Sequence, residues 1–219
     1  MTISALIFDF DGTILDTETP EFESWSEVFT AHGTTLSLDW WSGCIGTAGL
    51  AFDPYAHLER SIGRTVDREA IRAGRRPRHL ALIECQQPRP GVLQWITAAR
   101  AAGLSLGVAS TSSRDWVHDH LDRLALRTSF SHTACGDEVD RVKPAPDLYQ
   151  LALQRLQKGP DQAIAIEDSP NGIAAAKAAG LFCIAVPNPL TEPLDLSAAD
   201  LRLTSLAELP LAEVLRSIG

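Results

Sequence analysis

Two aspartates separated by one residue, Asp9 and Asp11, follow the apolar run 3–7 and lead into Gly12-Thr13. A buried strand that ends in two acids and a glycine turn places both carboxylates at a sheet edge, where ligands of open α/β sheets bind. Such a pair can hold a divalent metal while one carboxylate attacks an electrophile; a single acid would suffice for a helix cap. Three further clusters have the same setting. Ser110-Thr111-Ser112-Ser113 follows the apolar stretch 104–109, and hydroxyls with free N–H groups at a helix start bind phosphate, although one serine there is also an ordinary N-cap. Lys143-Pro144 stands between a strand and a helix, where a lysine can neutralise an incoming anion, although most lone lysines are solvated charges. Glu167-Asp168 ends the apolar run 163–166 just before Ser169-Pro170. Adjacent acids at a buried strand end suit a hard cation, most simply Mg²⁺, and a helix dipole would account for one of them.

The elements that must position these residues alternate. Short apolar or β-branched runs at 5–9, 104–109, 132–135, 163–167 and 182–186 read as strands. Helical patterns fill 92–102, 114–124, 147–156 and 170–179. Ser169-Pro170 starts the last of these and Gly180 closes it. Strand–helix alternation implies an α/β fold with a doubly wound, Rossmann-like parallel sheet. Residues 17–87 break the alternation. They read as helical, with an amphipathic stretch at 21–32, a Trp40-Trp41 pair and a later helix over 67–85. The expected organisation is a core of 1–16 plus 88–219 and an inserted α-helical cap of 17–87, with hinges at 16–20 and at the Pro- and Gly-rich 86–91. The tail reads as a short edge element at 199–203 and a closing helix over 207–218.

The bulk numbers fit one soluble α/β enzyme. The chain has 219 residues, 45% hydrophobic and 21% charged, and a net charge of −9, which argues against a nucleic-acid binder. Cys44, Cys85, Cys135 and Cys183 are scattered, without C-x-x-C spacing, and read as reduced, mostly buried thiols of a cytoplasmic protein. Asp9 and Asp11 interrupt any signal-peptide pattern, and no apolar run is long enough to span a bilayer. A monomer or weak homodimer that binds neither nucleic acid nor membrane is the expectation.

The segments FDFDGTILDTE at 8–18, VASTSS at 108–113, VKPAPDLY at 142–149 and IEDSPNGIAAAKAAG at 166–180 together resemble the haloacid dehalogenase-like superfamily of phosphotransferases, in its helical-cap subgroup. The resemblance spans nearly the whole chain, although the cap is matched only by position and helical character. It implies a Mg²⁺-dependent phosphatase that takes a small phosphorylated metabolite, sugar-phosphate-like, as its partner and works through an aspartyl-phosphate. Asp9 would be the nucleophile, and Asp11 the general acid and then the base. Ser110 and Thr111 would bind the phosphoryl oxygens, and Lys143 would stabilise charge. Mg²⁺ would be held by Asp9, the backbone carbonyl of Asp11 and Asp168, with Glu167 in support; Asp137 would lie nearby. Dehalogenase and phosphonatase relatives generally lack the second aspartate, which is present here. Sugar phosphomutases of the β-phosphoglucomutase type are the near alternative, but they carry a hinge histidine where this chain has Glu21 and a cap arginine where it has Gly46-Thr47-Ala48-Gly49. Both departures favour hydrolysis. A non-catalytic module on the same fold is the reading from another class, and undegraded motifs disfavour it.

Specificity belongs to the cap. Glu18, Glu21 and Thr47 are candidate substrate contacts. The run Arg72, Arg75, Arg76, Arg78 is either another contact or a solvated helix end. Trp25, Trp40 and Trp41 read as cap core in preference to a stacking platform, and His118 and His120 as solvent-facing.

Overall fold

Ala5, Leu6, Ile7 and Phe8 are fully buried, so the strand they form needs cover on both faces. The computed structural model describes residues 2–42 and 53–218. β1 (Ala5–Phe8) leads into four helices, α1 (Glu18–Ala31), α2 (Leu38–Ser42), α3 (Pro54–Ile62) and α4 (Arg68–Glu84). The alternation then resumes as α5 (Val92–Ala101), β2 (Ser105–Ala109), α6 (Arg114–Arg123), β3 (His132–Ala134), α7 (Asp147–Leu156), β4 (Ala163–Glu167), α8 (Pro170–Ala178), β5 (Phe182–Ala185), β6 (Leu201–Arg202) and α9 (Leu211–Ile218). The strands form one parallel sheet in the order β3-β2-β1-β4-β5-β6. The chain steps outward from β1 on one side, then returns to β1's other side, which makes the C-terminal edge between β1 and β4 the crevice of a doubly wound fold.

Period-2 geometry divides the strand residues between two cores. Leu6 and Phe8 join residues of α5, α6 and α9, including Trp95, Val117 and Val214. Ala5 and Ile7 join residues of α7 and α8, including Leu153 and Ile173. Each fully buried Leu, Ile or Phe contributes about 1.5–3 kcal/mol, so a one-residue slip of β1 would forfeit contacts on both sides.

The helical insert has its own core of Trp25, Phe29, Leu36, Trp41 and Leu58, joined by Leu190 from the sheet domain. Trp25 meets Tyr55 edge to face with ring centroids 4.8 Å apart. Trp25 and Trp41 are thus cap core. Asp53 caps α3 by accepting the N–H of Ala56, Gly63 closes that helix in the left-handed conformation, and Asp67 caps α4. The two crossings to the insert are tied together: Leu15 bridges Pro88, and the N–H of Arg89 donates to the carbonyl of Ile14.

Three boundaries differ from the sequence reading. α1 starts at Glu18, inside the expected hinge, because Pro20 falls in the first turn, where a missing N–H costs nothing. α9 starts at Leu211 and not at 207. Pro210 precedes it, and Thr204 and Glu208 form a turn of their own. The edge element is two residues long, paired only to β5. Among the described residues no helix is long and apolar enough to cross a membrane.

Candidate active site

The register of the central strands assembles the site. Phe8 pairs with Val108 on one side and Ile166 on the other, so the residues that follow these strands emerge side by side. Asp9, Glu167 and Asp168 converge there, buried, with carboxylate oxygens within 4.8 Å of one another. Lys143 arrives from the loop before α7. Its Nζ lies 2.5 Å from Asp9 Oδ1 and 2.6 Å from Glu167 Oε1. Tyr149, on α7, donates its hydroxyl to the same Glu167 oxygen at 2.7 Å and lies under the ammonium, 5.2 Å from ring centroid to Nζ. Burial opposes the charge on Lys143, but Asp9 and Glu167 outweigh it and hold the ammonium well above the ordinary lysine range. Burial raises Asp9 to about 8, against the pull of Lys143 and with the help of Glu167 and Asp11. Burial also pushes Asp168 well above the carboxylate range, with Glu18, Asp9 and Glu167 adding to the rise.

Three clustered buried carboxylates, two of them sharing one ammonium, make a donor set in need of more positive charge. Oxygen donors in this number and enclosure fit a hard divalent cation. Glu167 is the least available of the three. Its Oε1 serves Lys143 and Tyr149, and its Oε2 takes the N–H of Asp168 at 3.2 Å. It acts on Asp9 through Lys143.

Asp11 stands apart from that cluster. Its Oδ1 accepts from Thr17 Oγ1 at 2.8 Å and from Trp116 Nε1 at 2.9 Å. Its Oδ2 accepts from Ser112 Oγ at 2.7 Å and Ser110 Oγ at 3.2 Å. Ser110 is fully buried and also accepts the N–H of Ser112, while Ser113 caps α6. Thr111 is half-buried on the same loop.

Asn188, just past β5, completes the edge. Its Nδ2 donates to Asp168 Oδ2 at 2.7 Å and to Glu18 Oε2 at 2.6 Å, and its Oδ1 accepts the N–H groups of Leu190 and Thr191. Burial raises Glu18 to about 8, opposed by the Asn188 hydrogen bond and aided by Asp9, Asp11 and Asp16. Arg89 clasps the carbonyls of Gly12, Val186 and Pro187, tying the second hinge to both loops. Gly12, at φ +80°, leaves Asp168 room: a Cβ would come 2.4 Å from Asp168 Oδ2.

Other expected residues lie elsewhere. Glu21 is engaged inside the cap. Its oxygens meet Arg75 Nη1 at 2.9 Å, His79 Nε2 at 3.0 Å and Trp25 Nε1 at 3.1 Å. Burial opposes its charge, but His79 and Arg75 hold it down at about 2. Arg75 also covers the Trp25 ring, Arg78 pairs with Glu27 on the surface, and Arg72 and Arg76 are exposed. Asp137 accepts the backbone N–H of Arg114 at the start of α6, and is not in the three-acid cluster. Thr47, the 46–49 loop and Cys44 fall outside the described residues. Cys135 and Cys183 are buried free thiols, and Cys85 is an exposed one. The expectation for the histidines is corrected. His120 is buried under Trp116 and beside Phe10, and His118 bonds Thr133 and Arg127. The inner face of α6 runs Val117, His120, Leu121, and this spacing turns His120 inward.

Thr17, Trp116, Tyr149, Asn188 and Arg89 have no role in the sequence reading, and Ser112 enters it only as part of the serine run, as a phosphate ligand or helix cap and not as a donor to Asp11. Asn188 carried a usable signal, a polar residue just beyond the apolar run 182–186. Trp116 carried none, because one tryptophan on an amphipathic helix reads as packing.

Gly172, in the first turn of α8, gives a sharp structural test. A Cβ there would come 2.0 Å from Glu167 Cδ. Gly172→Ala is expected to lower stability by about 1–3 kcal/mol through overpacking and to disturb Lys143 through Glu167, as thermal melting and a crystal structure would show. An unchanged melt would contradict the described seat of Glu167.

The comparisons with known proteins identify the family. A family model described as haloacid dehalogenase-like hydrolase matches residues 6–186. YhcW of Bacillus subtilis (strain 168) is 45% identical over 213 residues, covering 97% of this chain and 96% of that protein. Hexitol phosphatase B of Escherichia coli (strain K12) is 30% identical over 217 residues, covering 97% of each. A crystal structure of a CbbY variant from Rhodobacter sphaeroides, in complex with xylulose-(1,5)bisphosphate, superposes with a TM-score of 0.76 at 33% identity, covering 96% of this chain and 98% of that one.

Proposed function

This chain belongs to the haloacid dehalogenase-like hydrolase family and is a hydrolase of phosphate monoesters, and we propose that it takes a small sugar or polyol phosphate through an aspartyl-phosphate on Asp9. The observation that carries the reading is the Lys143 bridge between Asp9 and Glu167, beside a second aspartate with its own set of donors. In the proposed first step an Asp9 oxygen bonds to phosphorus while the bond from phosphorus to the sugar oxygen breaks, and Asp11 gives that oxygen a proton. In the second, a water oxygen bonds to phosphorus, the acyl-phosphate bond breaks, and Asp11 takes the water's proton. Splitting the displacement lets one site serve both oxygens, and a positioned general acid contributes roughly 10²–10⁴-fold. Lys143 holds the Asp9 carboxylate in place and offsets its repulsion of the phosphate dianion. Ser110 and Thr111, on the loop beyond β2, are the residues assigned to the transferred group's oxygens.

Mg²⁺ is the proposed cation, held by Asp9, Asp168 and the backbone carbonyl of Asp11 with Glu167 in support, and when bound it supplies charge neutralisation at the phosphoryl oxygens. Asn188 orients Asp168, so Asn188→Ala is expected to weaken Mg²⁺ binding by about 10-fold or more, read by titration calorimetry on the protein alone. Unchanged affinity would remove Asn188 from this role.

Sugar-type substrates are supported by the names of hexitol phosphatase B and the sugar bisphosphate bound to CbbY. We take residues 17–87 as the cap and 1–16 plus 88–219 as the core, supported by the separate apolar cluster of the insert. Free thiols at Cys85, Cys135 and Cys183 suit a reducing cytoplasm. Phosphate release from a panel of pentose, hexose and polyol phosphates, with Mg²⁺ and then with EDTA, tests the reading. Metal-dependent release from polyol or sugar monophosphates is expected. Isomerised sugar phosphate without net phosphate release would contradict it in favour of a mutase.

A further inference from the structure

Among the four donors on Asp11, one differs in kind. The hydroxyls of Thr17, Ser110 and Ser112 can each rotate to donate or to accept. The indole N–H of Trp116 can only donate. Its 2.9 Å bond to Asp11 Oδ1 therefore persists only while that oxygen is an acceptor. A carboxyl so held favours its proton on Oδ2, the oxygen facing Ser110 and Ser112, because the unprotonated, carbonyl-type oxygen is the better acceptor for the indole N–H. These two serines lie on the loop beyond β2, at the sheet edge where the acids of β1 and β4 emerge.

The indole itself is held from both sides. His120, from the next turn of α6, meets it edge to face at 4.4 Å, and Phe10, the residue between the two aspartates, stacks on His120 at 6.2 Å. On the other side His79, from cap helix α4, lies nearly parallel to the indole (20° between planes) with centroids 6.3 Å apart. His79 Nε2 is 3.0 Å from Glu21 Oε2, but the contact lies off the line of a good hydrogen bond. Glu21 is gripped in turn by Arg75 and Trp25. A continuous series of contacts thus runs from the first and last cap helices to Asp11.

We propose that Trp116 is a positioning residue that locks Asp11 Oδ1 as an acceptor and leaves Oδ2 to carry the transferred proton, with His79 setting the indole from the cap side. The proposal rests on the phosphatase reading for the role of Asp11. Trp116→Phe is the informative variant, because it keeps an aromatic ring between the histidines while removing the N–H; the ring is smaller, so the two-substrate comparison below separates lost packing from a lost donor.

A leaving group that needs a proton depends on Asp11's orientation; a good leaving group does not. Over the steps reported by kcat/KM, Trp116→Phe is expected to lower hydrolysis of an alkyl phosphate such as glycerol 1-phosphate by roughly 10-fold, part of what a positioned acid supplies, while p-nitrophenyl phosphate changes by about 2-fold at most. His79→Ala should give a smaller loss of the same selectivity, non-additive with Trp116→Phe. Equal losses on both substrates, or none on either, would overturn the proposal. A readout independent of turnover separates the two hypotheses. The indole N–H resonance of Trp116, assigned by its disappearance in Trp116→Phe, should move in Asp11→Ala and also in His79→Ala. If the wild-type protein hydrolyses neither these esters nor any member of the sugar and polyol phosphate panel, the phosphatase reading fails, and these resonances alone decide the linkage: movement in both variants supports it, and an unmoved signal in either overturns it.

Discussion

Asp9→Asn is expected to reduce turnover of any phosphate monoester by on the order of 10⁴-fold or more, because the amide cannot accept the phosphoryl group. The same change should leave the fold intact or more stable. It removes one of three clustered buried carboxylates, two of which share the Lys143 ammonium, and Lys143 keeps Glu167 as its partner. A melting temperature at or above wild type, together with lost phosphate release, is the expected pair of results. Activity within tenfold of wild type would place the nucleophile elsewhere.

Lys143→Met should have the largest effect on stability. The lysine is 4% exposed and Glu167 is fully buried, so the variant leaves Asp9 and Glu167 facing each other without a cation. Removing one partner of a buried ion pair costs about 3–5 kcal/mol, which for a chain of this size corresponds to a drop of roughly 10 °C in Tm. Methionine retains most of the side-chain volume, so the loss reports charge and not a cavity. Adding Glu167→Gln to Lys143→Met should restore part of the stability, since the two residues are in contact and their effects couple. Turnover should also fall, by roughly 10²–10³-fold for a lost electrostatic contact of this kind. A Lys143→Met protein that melts like wild type would contradict the buried charge arrangement.

What the chain made legible follows from which forces act locally. The strands stand out because four or five successive residues are apolar on both faces, as in Ala5–Phe8 and Ala163–Glu167 up to its final acid. Acids and serines at the ends of such runs, and a lysine in the loop beyond one, have no reason to be there as packing, which is why Asp9, Asp11, Ser110, Lys143, Glu167 and Asp168 stand out in the sequence itself. Their convergence depends only on the parallel register. Their partners were illegible for the opposite reason. Trp116 and Tyr149 have side chains that suit packing, and only the placement of α6 and α7 turns them to Asp11 and Glu167; Asn188, a polar residue just past an apolar run, is the exception. His120 looks like a surface residue until Trp116 and Phe10 are seen around it. Glu21 occupies a hinge position typical of substrate contacts, yet Arg75 and His79, more than fifty residues away, engage its carboxylate.

The central claim is that Asp9 carries the phosphoryl group between two half-reactions. Rapid acid quench during turnover of a sugar or polyol phosphate, followed by peptide mass spectrometry, tests it most directly. The predicted result is the mass of one phosphoryl group on the peptide containing Asp9, labile to hydroxylamine and absent in Asp9→Asn. A phosphoryl group on Ser110 or another residue would contradict it, as would none at any time point while phosphate is still being released.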